Sequence, residues 1–139
     1  MNLNLEFLVV AYFISLFVDW IFQWDWQAVN KSKWNVNDNW RRSFFALGTH
    51  SLVYAILTSG LLSSLCIITV PQGFLVFLVL LVTHLIIDTR IPVKWIMRWK
   101  GMTDKQINYF QNYGFMHIGI DHRLHELVLL ILAFIVNYP

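Results

Sequence analysis

With 139 residues, 58% of them hydrophobic and only 13% charged, the chain is too apolar for an ordinary soluble domain, in which charged residues make up about a quarter. The length is that of one domain, 1–139. The formal charge of +2 points to no anionic partner, because nine of the ten Lys and Arg residues fall in two loops; nucleic-acid binding is excluded on that ground. Cys66 is the only cysteine, so neither a disulfide framework nor a thiolate metal cluster is available.

The first apolar stretch lacks a basic leader, carries Glu6 and has no small-residue cleavage site, so it reads as a membrane helix and not as a removed signal peptide. Its expected span is about 5–24. Residues 43 to 87 contain no Asp, Glu, Lys or Arg, roughly enough for two bilayer crossings and a turn. Those crossings are expected at about 43–66 and 72–89, with Pro71 and Gly73 supplying the reversal. The segment Ile91 to Lys100 alternates Val93, Trp95, Ile96 and Trp99 with Lys94, Arg98 and Lys100, which predicts a short helix lying on the membrane surface. Thr103 to Asn112 reads as a polar connection, and a last span covers about 113–136. The expected fold is therefore all-α, an integral membrane bundle of about four transmembrane helices with a short interfacial helix.

Lys31, Lys33, Arg41 and Arg42 lie between the first two spans, and Arg90, Lys94, Arg98, Lys100 and Lys105 between the last two. The positive-inside rule puts both basic loops in the cytoplasm and both termini outside, as in a bacterial inner membrane. Trp20, Trp24, Trp26, Trp34, Trp40, Trp95 and Trp99 all flank these loops, as an interfacial belt does.

Ionisable groups inside hydrocarbon cost about 2.5–3.5 kcal/mol each on insertion scales, so each needs a partner or a water-filled site. His84 and Asp88, and likewise Asp121 and His125, are four apart and share a helix face. Counted at about 1.5 Å per residue from the loop ends of their spans, Asp19, His50, His84 and Asp121 lie at one level, with His125 a turn deeper. Antiparallel helices then bring them together. Mixed His and carboxylate donors from facing helices are a common way to hold zinc, iron or manganese. The candidate metal ligands are Asp19, His50, His84, Asp88, Asp121 and His125, with zinc the expected ion, and Asp88 and Asp121 the candidate catalytic carboxylates. His117 and His122 fall near the interface, where water satisfies them, and Arg123 is expected to snorkel or to pair with Glu126.

The stretch VDWIFQWDWQAVNKSKW, the TH at 49–50, THLIID at 83–88 and DHRLHE at 121–126 together resemble an uncharacterised family of small bacterial and phage membrane proteins, domain of unknown function 3307. The resemblance implies matches at Asp19 and Gln23, His50, His84 and Asp88, and Asp121 and His125. Ser15 stands where that family has its first histidine, and His122 replaces a glutamine. The arrangement is also similar to inner-membrane proteins thought to be metal-dependent hydrolases. It leads to the expectation of a membrane-embedded metal-dependent hydrolase whose metal-activated water attacks a phosphoester or ester near the cytoplasmic leaflet. Membrane lipids are the expected partners and a phospholipid or other phosphorylated amphiphile the expected substrate, in a monomer or homo-oligomer. Two other classes stay open: an ion- or proton-translocating or transporter subunit, and a non-catalytic, phage-encoded scaffold with a buried polar network.

Overall fold

The computed structural model describes residues 3–31, 40–113 and 115–136, and these are all-helical. The elements are α1 (Leu5–Ile21), α2 (Asp25–Asn30), α3 (Trp40–Ser64), α4 (Val70–Asp88), α5 (Ile91–Trp99), α6 (Asp104–Tyr113) and α7 (Phe115–Ile135). The four long helices form a ring in which α1 packs on α3, α3 on α4, α4 on α7 and α7 on α1. The short helices gather at one end of it: α2 against α3, α5 against α4 and α7, and α6 against α5 and α7. The expected spans 5–24, 43–66, 72–89 and 113–136 correspond to α1, α3, α4 and α7. Among the described residues, α3 and α4 are long and apolar enough to cross a membrane. The first basic loop is described only in part, since Lys33 and Trp34 lie outside the described residues.

The core of the ring is built from Phe7, Ala11, Tyr54, Ala55, Leu62, Val76, Leu80, Leu129, Leu132 and Ala133, all at most 3% exposed. Two hydroxyls of α3 bond back to their own helix: Ser59 Oγ donates to Ala55 O at 2.7 Å and Ser64 Oγ to Gly60 O at 2.8 Å. At the start of α1, Asn4 accepts from Phe7 N at 3.0 Å, and its own backbone N–H donates to Ala133 O at 2.9 Å. One residue thereby caps α1 and fastens it to the end of α7.

Two expectations are corrected. Pro71 and Gly73 do not make the reversal between α3 and α4; both lie in the first turn of α4, where proline's missing N–H has no helical partner to lose. The chain turns instead at Cys66, which adopts the left-handed conformation (φ 57°) while Ile67 N reaches back to Leu62 O and Cys66 N to Ser63 O, both at 3.1 Å. That is a Schellman ending with cysteine in glycine's usual place. Gly73 serves packing, because a Cβ there would collide with Ser63 Oγ. The second correction is the polar connection at 103–112, which is largely α6. Thr103 Oγ1 and Gln106 Oε1 cap it reciprocally at 3.4 and 2.9 Å, and Ile107, 2% exposed, packs with Val93 and Met97 of α5. Among its described side chains Ile107 is buried and Phe110 half-buried, a short apolar face in an otherwise polar segment.

Candidate metal centre

The ends of the long helices nearest α2 and α5 bring five of the six expected ligands to one point. His84 and Asp88 occupy the last turns of α4, one turn apart on its inner face, and each is 1% exposed. His50 of α3 is equally buried, and its Nε2 stands 3.0 Å from His84 Nε2. Asp19, near the end of α1, places Oδ1 3.1 Å from His50 Nε2 and 4.0 Å from His84 Nε2. Asp88 Oδ2 lies 3.4 Å from His50 Nε2 and 3.2 Å from His84 Nε2, while Asp88 Oδ1 faces His125 Nε2 of α7 at 3.5 Å. Two overlapping donor groups result, Asp19 with His50 and His84, and His84 with Asp88 and His125.

These groups face one another without satisfying one another. Two neutral imidazole nitrogens at 3.0 Å share at most one proton. Asp19 Oδ1 and Asp88 Oδ1 are buried with no hydrogen-bond partner among the described residues, although imidazole nitrogens stand near both. Buried polar atoms left this way cost about 1–3 kcal/mol each, and a satisfied core would have turned them toward each other. Donors that bind one ion at about 2.0–2.2 Å in tetrahedral geometry are separated by about 3.3–3.6 Å. In the group of Asp19, His50 and His84 the separations of 3.0, 3.1 and 4.0 Å bracket that spacing, and Asp88 Oδ1, the oxygen that Lys31 leaves free, lies 3.5 Å from His125 Nε2, so the residues present fit a divalent metal ion.

Several supporting residues fix this arrangement. The Tyr54 ring stacks on His84 with centroids 4.0 Å apart and planes 23° from parallel, holding the imidazole in orientation. Gln23 Nε2 lies 3.4 Å from His50 Nε2, and Gln27, at the front of α2, donates to Thr49 Oγ1 beside His50 at 3.1 Å. Lys31, expected only to set topology, turns inward at the end of α2 and donates to Asp88 Oδ2 at 2.8 Å, with its side chain 10% exposed. Nothing in its sequence context separates it from the other loop cations; its position one residue past a six-residue helix decides it.

Among the described residues Asp121, the sixth expected ligand, stands in neither donor group and its buried Oδ1 has no hydrogen-bond partner, one turn before His125. Ser15 Oγ is turned to the backbone, donating to Tyr12 O at 2.9 Å. His117 is 2% exposed, not at the surface as expected, and its Nε2 has no hydrogen-bond partner among the described residues. His122 faces Trp20 with ring centroids 6.3 Å apart, and Arg123 pairs with Glu126. Compared with protein-family models, curated proteins and solved structures, the chain shows no match.

Proposed function

We propose that the chain is an integral membrane protein crossed by α1, α3, α4 and α7, and that its centre holds a divalent metal ion, zinc foremost, to hydrolyse a phosphoester or ester of an amphiphile at the cytoplasmic leaflet. The outward faces support membrane residence. Phe13, Phe17, Phe44, Phe45, Phe74 and Val82 are each more than half exposed, a surface that water tolerates poorly and lipid accepts. The other two long helices are apolar as well: α1 is short, at 17 residues, and α7 carries Asp121, Arg123 and Glu126 among its apolar residues. Trp95 and Trp99 of α5, 67% and 78% exposed, suit a helix lying among headgroups with the basic loops. The resemblance to domain of unknown function 3307 points the same way.

The observation that carries the reading is the convergence of three imidazole nitrogens and two carboxylates from four helices, with Asp19 Oδ1 and Asp88 Oδ1 buried and unpartnered. Asp19, His50, His84, Asp88 and His125 would hold the ion. When bound, a divalent ion supplies Lewis acidity and makes water a usable nucleophile at neutral pH. Lys31 anchors Asp88 by Oδ2 and leaves Oδ1 toward His125. Asp121 Oδ1, buried and uncommitted one turn from His125, is placed to take a proton from attacking water. The one-sided location of the ionisable groups argues against translocation, since the opposite half of the ring closes with Phe7, Leu62, Val76, Leu132 and Ala133.

A scaffold reading has one observation in its favour, the Lys31–Asp88 ion pair, which neutralises one carboxylate without any metal. Elemental analysis of detergent-purified protein separates the two. Stoichiometric metal in the wild type, lost in a folded His84→Ala, Asp88→Ala double variant, is the expected result. Metal-free wild-type protein after growth in zinc-supplemented medium would sink the metal centre and leave the scaffold.

A further inference from the structure

Along the α1–α7 seam the ring is open. The inner part of this cleft, about 20 Å³ and so no larger than a water, is walled by Ser15, Asp19, Tyr54, His125 and Glu126 beside the donor groups. The outer part, about 390 Å³, continues between Leu8, Val9 and Phe13 of α1 and Leu129 and Leu130 of α7. Tyr12, Glu126 and Leu129 line both parts, which makes them one surface.

Two features define what fits. The first is direction. Leu8 to Phe13 precede Asp19 by six to eleven residues, so the apolar part extends about 9–16 Å from the centre, away from α2, α5 and α6. An occupant with its polar end at the centre lays its apolar end toward the middle of the bilayer, as a lipid of the adjoining leaflet does. The second is charge. Arg123 lines the outer part and is eight residues into α7, about 12 Å along the helix. Its side chain is 80% exposed beside the apolar Leu8, Val9, Leu129 and Leu130, where a cation needs anionic partners. Glu126 engages Nη1, leaving most of the five N–H donors for a second anion. A phosphate is the anion whose geometry a guanidinium fork matches.

We propose that the α1–α7 cleft seats one phospholipid drawn sideways from the leaflet, with its phosphate on Arg123 and an acyl chain along Val9, Phe13 and Leu130. The seating gives the hydrolase reading its substrate class and rests on that reading for any chemistry at the centre, but binding is measurable without turnover.

The test is photolabelling of the full chain in dodecyl maltoside with a phosphatidylglycerol carrying a diazirine in its acyl chain, with adducts mapped by mass spectrometry. One saturable site is expected, with adducts within 8–13 and 129–130, competed by unlabelled phosphatidylglycerol and not by diacylglycerol. Arg123→Gln should weaken it about tenfold, the loss of one charge-assisted contact. Leu130→Trp, or Val9→Trp on the other wall should the first misfold, should abolish labelling of the cleft while metal content stays at the wild-type level. Unsaturable labelling, equal competition by diacylglycerol or by inorganic phosphate, or cross-links showing a second copy of the chain covering α1 and α7 would each overturn the proposal. Saturable, phosphate-dependent labelling in a protein without metal or turnover would keep the cleft and remove the hydrolase reading. Metal and turnover with unsaturable labelling would remove the cleft alone.

Discussion

Two seams of the same ring are built on different terms. Between α3 and α4 the contact is close: Ala55, Ser59 and Leu62 of α3 and Gly73, Val76 and Leu80 of α4 are all buried, and even a Cβ at Gly73 would have to displace the Ser63 hydroxyl. Between α1 and α7 the helices are tied at one end by Asn4, whose N–H and Nδ2 donate to Ala133 O at 2.9 Å and Val136 O at 3.3 Å, and then part into an open cleft. Both seams lead to the centre, but from the first come His50, His84 and Asp88, each 1% exposed, and from the second Asp19 and His125, with side chains 20% and 14% exposed. In a bilayer, where lipid tails remove most of the hydrophobic drive between helices, small residues that let backbones approach are what bind a seam. The closed seam therefore carries the tight helix contact and the most deeply buried members of the His and Asp cluster, and the open seam carries its more exposed members.

The most damaging way to break this contrast is to wedge the closed seam. Gly73→Leu should destabilise the protein by about 3 kcal/mol, the upper range for overpacking a tight contact, because the added atoms meet Ser63 and the Ile68 side chain with no cavity to enter. Thermal unfolding in detergent measures it. Gly73→Ala should cost much less, since the Ser63 hydroxyl can rotate aside. Equal tolerance of leucine and alanine would show that the seam is not closed.

Next in size is the tie that keeps the open seam from separating altogether. Asn4→Ala removes an N-cap and a link to α7, and should cost about 1–2 kcal/mol. The loss should be local, so hydrogen exchange is the sharper measurement: amides of the first turns of α1 should exchange faster while those of α4 stay protected. Uniform acceleration across the ring would mean that the two seams are one cooperative unit.

How much of this is legible in the sequence depends on the range of each signal. The four long helices can be read because long apolar runs need no partner to be recognised, and the convergence of Asp19, His50, His84, Asp88 and His125 because i, i+4 spacing and depth from a loop are properties of single helices. Asp88 beside His84 is such a case. Lys31 escapes sequence reasoning because its role depends on where α2 comes to rest against α3, a contact between segments that no local spacing encodes. Asp121 differs for the complementary reason: it shares a helix face with His125, yet among the described residues it stands outside both donor groups, a placement that spacing along one helix does not encode. The turn at Cys66 is hidden because Pro71 and Gly73 are strong turn residues that also suit a helix start and a close helix contact. Which role wins is decided by Ser63, on another helix.

The smallest expected effect discriminates best, because it compares two positions on one helix. Leu130 faces the cleft and is 37% exposed, while Leu132, half a turn further, is fully buried against the core of the ring. An indole at 130 projects into space already open and should change stability by no more than about 0.5 kcal/mol, as an ordinary surface substitution does. The same indole at 132 has no room and should cost about 1–3 kcal/mol. Parallel unfolding curves of Leu130→Trp and Leu132→Trp would measure the difference directly. If both variants lose stability alike, α1 and α7 close on each other in the membrane and the cleft is not a permanent opening; a stable Leu130→Trp that keeps its metal makes the open seam a feature of the resting fold, available to a lipid without any prior movement of the helices.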